Sequence, residues 1–202
     1  MKFTIGYISH NQEVHAQHLG PSLLEMNLKS DSGFLVVSTD SSRFPAENYN
    51  QMIELCQTPY LILTHQDVFF SPDILERIEI VIENDPDFGA IGMVGVDSDG
   101  NYRWSKTSEI FEVDTLDCCF IVVRKDSPVR FNQEVFHEYH LYVEDYCAMQ
   151  KQAGNKIYTI SMAEESKLGH ASHTCGERGP CWGNYWHFRN IFNSMWPGLQ
   201  TT

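Results

Sequence analysis

Tyr60-Leu-Ile-Leu63 is a short apolar run bounded by Thr58-Pro59 on one side and by Thr64-His65-Gln66-Asp67 on the other. No other stretch constrains the fold as tightly. An apolar run of this length after a proline reads as a buried strand. Its polar end lies where open α/β sheets gather ligands, at the carboxyl edge. Asp67 offers a hard oxygen to a divalent cation and His65 a second donor. The alternative is an Asp that only caps a strand-to-helix turn. Val68-Phe-Phe70 follows, then Ser71-Pro72-Asp73, which reads as a helix start with a Ser cap and Pro at the first helical position.

Elements of period two and period 3.6 alternate on both sides of that run. Phe3 to Ile8 reads as the first strand, before a helical stretch interrupted by Gly20-Pro21. Phe34 to Ser38 is a second strand, ending in Thr39-Asp40-Ser41-Ser42. Pro45 to Cys56 carries Tyr49, Met52, Ile53 and Cys56 at helical spacing. Pro72 to about Asn84 is a helix with Ile74, Leu75, Ile78 and Ile82 on one face, and Ala90 to Val96 is a strand. Asp97 to Asn101 is a turn. Leu116 to Val123 restores a strand, Val143 to Ala153 a helix, and Lys156 to Ile160 a last strand. This order predicts an α/β fold whose sheet is mainly parallel and flanked by helices. The tail from Gly169 fits no period. Without a repeat or linker, the chain is expected to form one domain, residues 1–96 and 97–202 being two halves of one sheet.

Charge narrows the function classes. The chain has 27 acids against 14 bases, a net −13, which disfavours nucleic acid as a partner. An acidic protein that holds a diphosphate needs a cation or a cluster of donors between the two. No stretch reaches the roughly 20 apolar residues of a membrane span. Met1 to Tyr7 turns polar at Ser9-His10-Asn11, too soon for a signal peptide, so a cytoplasmic location is expected. Of the six cysteines, Cys56, Cys118, Cys119 and Cys147 read as buried free thiols. His170, His173, Cys175 and Cys181 leave a zinc site open, although they lack a paired Cys-x2-4-Cys knuckle.

Ala46-Glu-Asn-Tyr-Asn50, Thr64-His-Gln-Asp-Val68, Ile91-Gly-Met-Val-Gly95, Val113-Asp-Thr-Leu-Asp117 and Tyr142-Val-Glu-Asp145 carry a resemblance through their order and spacing. The chain resembles the GT-A fold of nucleotide-diphospho-sugar glycosyltransferases, family 2 in type. Within these it is similar to a bacterial glycosyltransferase-like group whose metal motif reads His-Gln-Asp-Val. The resemblance runs from about residue 3 to 173. It implies a nucleotide-diphospho-sugar donor, a saccharide or other hydroxyl acceptor, Mn2+ or Mg2+ as cofactor, and an inverting transfer.

Residue by residue, the resemblance places Ser9, Asn11, Asp40 and Asn50 against the nucleotide. Asp67, with His65 and His170, becomes the metal shell. Asp117 lies at the acceptor edge, and Asp145, with Glu144 beside it, is the general base. Such a base takes the acceptor's proton opposite the leaving group, while the cation offsets charge on the diphosphate. Two departures stand out: His65 replaces the first acid of Asp-x-Asp, and the usual double acid of the second strand is reduced to Thr39-Asp40. Two other readings compete, a catalytically inactive nucleotide-sugar-binding protein on the same fold and a metal-binding protein built on the carboxy-terminal His/Cys group.

Overall fold

The alternating periods become strands and helices in a computed structural model, which describes residues 1–29, 33–40, 42–103, 109–160, 168–170 and 182–202. The first half runs β1 (Phe3–Ser9), α1 (Gln12–Gln17), α2 (Leu19–Lys29), β2 (Phe34–Asp40), α3 (Pro45–Leu55), β3 (Tyr60–Thr64), β4 (Val68–Phe70), α4 (Ile74–Asn84), β5 (Ala90–Gly92) and β6 (Gly95–Val96). The second half runs β7 (Tyr102–Arg103), β8 (Ile110–Val113), β9 (Thr115–Leu116), β10 (Phe120–Arg124), α5 (Tyr142–Gln152), β11 (Ile157–Ile160), β12 (Leu168–His170) and α6 (Trp182–Met195).

Seven strands form the central sheet in the order β2-β1-β3-β10-β5-β11-β8. β1 pairs in parallel with β2 and β3, and β5 with β11, whereas β10 runs antiparallel to both β3 and β5. β8 closes the edge antiparallel to β11. Strands of both sequence halves therefore share the sheet. Side chains alternate across it, as the strand period requires. Leu61, Leu63, Ile121 and Val123 join α3, α5 and α6 in one core, with Tyr49, Met52, Tyr146 and Phe192. Ile62, Phe120 and Val122 join α2 and α4 in the other, with Met26, Leu75 and Ile78. Because both faces are covered, β3 and β10 read as continuous apolar runs rather than alternating ones.

Three boundaries differ from the sequence expectation. The strand expected over 90–96 breaks after Gly92, and β6 leaves to pair with β7 and β9 in a three-stranded sheet. The strand expected over 116–123 breaks at Asp117, whose Oδ1 accepts the Cys119 amide at 2.9 Å and turns the chain. The helix expected from Pro72 begins at Ile74. Pro72-Asp73 form a turn there instead, in which the Ile74 amide donates to the Ser71 carbonyl and the Ser71 hydroxyl bonds Asp73. Cys56, Cys118, Cys119 and Cys147 are free thiols, while Cys175 and Cys181 lie outside the described residues.

Gly95 allows β6 to lie against β9. A Cβ there would stand 2.5 Å from the Thr115 carbonyl oxygen and 2.9 Å from Val113 Cγ2. The first neighbour is backbone, so it cannot rotate away. Gly95→Ala should therefore destabilise the chain by about 2 kcal/mol through overpacking, measured as a shift of the urea midpoint at unchanged slope. A midpoint equal to that of the native chain would show that β6 and β9 are not this close.

Candidate active site

The carboxyl ends of β1, β2 and β3 and the beginning of β10 meet at one edge of the sheet, because antiparallel pairing sets Phe120 opposite Thr64. The His65 amide donates to the Cys119 carbonyl at 2.9 Å and fastens the two ends together. Just beyond β3, Gln66 is buried, and its Oε1 accepts the His10 and Asn11 amides, both at 2.9 Å. That fixes the loop between β1 and α1. Gln66 Nε2 is also buried and has no hydrogen-bond partner among the described residues. Asp67 is only 2% exposed.

The facing wall comes from the second half. Leu141 precedes α5 as its cap and is the one described non-glycine residue with positive φ, at +62°. Left-handed backbone at a leucine costs on the order of 1–2 kcal/mol, and burial of its side chain offsets that cost. The turn aims Tyr142 at the sheet edge, where its hydroxyl lies 3.4 Å from His65 Nε2. Tyr49 packs edge-on against the same ring, at 5.6 Å between centroids. Glu144 is 5% exposed and Asp145 fully buried. Glu144 Oε1 accepts the Thr202 hydroxyl at 3.0 Å, and Asp145 Oδ1 accepts Trp196 Nε1 at 2.7 Å.

Electrostatics separate the two acids. Burial pushes Glu144 up to about 8, opposed first by a backbone hydrogen bond; the Asp117 charge adds to the rise, and Thr202 and Arg189 oppose it more weakly. Burial raises Asp145 to about 6, opposed by the Trp196 hydrogen bond, with no contribution from Asp117. Glu144 is therefore the member of the pair that shares its surroundings with Asp117. The Cys118 thiol is held well above its ordinary range, first by burial, then by Asp117 and Glu144.

The expected site residues are thus distributed unevenly. His65, Asp67 and Asp117 lie along one sheet edge, and α5 brings Glu144 near Asp117. β12 pairs antiparallel with β4 and sets His170 opposite Val68, next in sequence to Asp67; the His170 side chain, His173 and the tail to Cys181 lie outside the described residues. Among the described residues, no three His, Cys, Asp or Glu side chains form a metal-binding group. The expected nucleotide contacts have structural duties. Asn11 caps α1 by accepting the Glu13 and Val14 amides. Asp40 is exposed and accepts the Ser42 amide, while Ser9 ends β1 opposite it. Asn50 is committed on both sides of its amide: Oδ1 accepts the Phe131 amide, and Nδ2 donates to the Phe131 carbonyl and Gln133 Oε1, all at 2.9 Å.

Sequence reasoning missed Gln66, Tyr142, Trp196 and Thr202. Tyr142 stands inside a motif already singled out, two positions before Glu144. Trp196 and Thr202 lie in the tail, where no period announces a contact 51 or 58 residues away.

A family model described as glycosyl transferase family 2 matches residues 21–158. Among solved structures, GalNAc-T7 with UDP, GalNAc and Mn2+ aligns at a TM-score of 0.63 with 8% identity, covering 95% of this chain and 48% of that one. Staphylococcus aureus TarS 1-349 in complex with UDP-GlcNAc aligns at 0.55 with 13% identity, covering 87% and 62%. At such identities the likeness speaks for the fold. A curated relative, the ATP synthase subunits region ORF 6 of Fuscovulum blasticum, is 26% identical, the match covering 55% of this chain and 53% of that protein. The chain thus spans about half the length of that relative and of the first structure. No helix among the described residues is long and apolar enough to cross a membrane.

Buried acids with raised pKa values link stability to pH. Between the ordinary carboxyl range and about 8, the unfolded chain has lost a proton that folded Glu144 keeps. Stability therefore falls as pH rises through that window, and Asp145 adds the same trend up to about 6. Glu144→Gln removes the larger part. Its melting temperature should drop less between pH 5 and pH 8 than that of the native chain, by a few degrees or more. Parallel melting curves for the two proteins would place Glu144 in water.

Proposed function

This chain belongs to glycosyl transferase family 2, and on that premise we propose that it transfers a sugar from a nucleotide-diphospho-sugar to an acceptor hydroxyl, with inversion, assisted by Mn2+ or Mg2+. The observation that carries this reading is the 3.4 Å contact between His65 Nε2 and the Tyr142 hydroxyl. It joins the end of β3, the donor side, to the first turn of α5, which bears the acid pair. Solved relatives of the same fold hold UDP with GalNAc and Mn2+, or UDP-GlcNAc.

The donor set fits a hard or borderline cation. Asp67 supplies an anionic oxygen and His65 an imidazole, and β12 brings His170 beside them in the backbone ladder. A bound Mn2+ or Mg2+ would supply positive charge next to the diphosphate of a donor. Gln66 shapes the loop at the end of β1, and Asn50 holds the 131–133 segment in place. Ser9 and Asp40 end β1 and β2 side by side, and Asn11 follows at the α1 cap; on this reading that edge receives the nucleotide.

On the acceptor side the base assignment moves by one residue, from Asp145 to Glu144. Asp145 has one oxygen under the Trp196 indole and orients the turn. Glu144 already bears a hydroxyl at 3.0 Å, the contact a general base makes with its acceptor. Its raised pKa keeps it protonated in part at neutral pH, so turnover rises with pH through about 8.

A thermal-shift screen of nucleoside diphosphates and their sugars, with and without Mn2+, identifies the donor, since ligands of the folded state raise its melting temperature. Asp67→Ala should remove the metal-dependent part of that shift and leave the unliganded melting temperature near native. Donor binding and metal dependence equal to the native chain's would remove Asp67 from the site. With the donor known, Glu144→Gln should lower turnover by about 10²-fold or more at little cost in donor affinity, and Asp145→Asn should cost less. Turnover that survives Glu144→Gln and is lost in Asp145→Asn would return the base to Asp145.

A further inference from the structure

The chain beyond α6 comes back across the acid pair. Trp196 donates to Asp145, the Thr115 hydroxyl donates to the Gln200 carbonyl at 2.7 Å, and the Thr202 hydroxyl donates to Glu144. Leu199 and Trp196 pack against the core that contains α5. Residues 196–202 are thereby anchored at both ends and in the middle, to α5 and to β9.

A second observation concerns what this arrangement leaves unmatched. Glu144 Oε2, Asp145 Oδ2 and Thr201 Oγ1 are buried without a hydrogen-bond partner among the described residues. A buried polar group left unmatched pays its desolvation cost without return. The segment satisfies one oxygen of each carboxyl and leaves the other bare, so an occupant with more hydroxyls suits this ground better than the chain itself does.

Resting on the glycosyl-transfer reading above, we propose that residues 199–202 are an intramolecular occupant of the acceptor subsite, the Thr202 hydroxyl standing on Glu144 in the place of the acceptor's hydroxyl. The acceptor that displaces them is a polyhydroxylated compound, a saccharide or polyol, able to serve both oxygens of Glu144. Once it is seated, its hydroxyl oxygen forms the bond to the sugar C1 as its proton passes to Glu144. The C1–O bond to the diphosphate breaks, and the diphosphate departs with the electron pair. A tethered occupant competes at an effective concentration on the order of millimolar. Acceptors must then bind against it, and acceptor affinity rises when the segment is weakened.

The test compares the full chain with Thr202→Val, Thr202→Ser and Thr115→Val. Accessibility of Glu144 is read by carbodiimide coupling to glycine ethyl ester and peptide mass spectrometry. In parallel, release of UDP from UDP-GlcNAc with Mn2+ is followed with and without glycerol as a small polyol. Thr202→Val and Thr115→Val should each label Glu144 severalfold faster than native and raise UDP release in glycerol. Thr202→Ser, which keeps the hydroxyl, should behave as native. Equal labelling of Glu144 in the native chain and both valine variants overturns the proposal, because the segment would then not cover the base. Faster labelling with UDP-GlcNAc left intact in all variants overturns the acceptor assignment by a different route: the segment is a cover, and glycosyl transfer is what has failed.

Discussion

β10 enters the central sheet antiparallel, between β3 and β5, and Phe120 to Val123 are fully buried on both faces. A strand in that place must begin where β3 ends. Its start therefore lies against the polar end of β3, and the His65 amide bonds the Cys119 carbonyl across the gap. The Asp117 turn that precedes it is carried to the same edge. Parallel pairing of β10 would have sent Asp117 to the opposite end of the sheet, away from Asp67. Burying four apolar side chains on the order of 1.5–3 kcal/mol each makes the position hard to abandon. α5 completes the site by packing on β9 and aiming Tyr142 and Glu144 at that edge.

Acid chemistry at this edge depends on what covers it. Glu144 and Asp145 sit on the first turn of α5, where the helix dipole favours negative charge, yet burial wins and raises both. The chain after α6 contributes a hydrogen bond to each, from Trp196 to Asp145 and from Thr202 to Glu144. On the proposed reading, a cover that leaves lets water return to the Glu144 carboxylate, which lowers its pKa and leaves it ionised and free to accept a proton.

The sequence made the layered architecture legible where a residue's period was decided locally. Tyr60 to Leu63 is a continuous apolar run and the faces of α3 and α4 repeat at 3.6, and both patterns survive in the fold. The breaks at Gly92 and Asp117 were not legible, since Ala90 to Val96 holds no polar side chain and a single Asp in Leu116 to Val123 does not by itself end a strand. Each break is decided by a partner elsewhere: Leu116 lying against Gly92, and the Asp117 carboxylate turning back on Cys119. At the site, Asp67 and the Glu144-Asp145 pair could be picked out by type and order. Which acid of the pair meets a hydroxyl could not, because Trp196 and Thr202 decide it. Asn50 shows the converse: a polar residue at a helix facing the cleft, spent on holding Phe131.

Anomalous scattering at the manganese edge from crystals grown with UDP and Mn2+ tests most directly whether this sheet edge is a donor site. The expected result is one strong peak at the Asp67 carboxylate, with the UDP diphosphate beside it and the uracil toward the ends of β1 and β2. A manganese peak remote from Asp67, or UDP seated away from this edge, would contradict the assignment of the donor site.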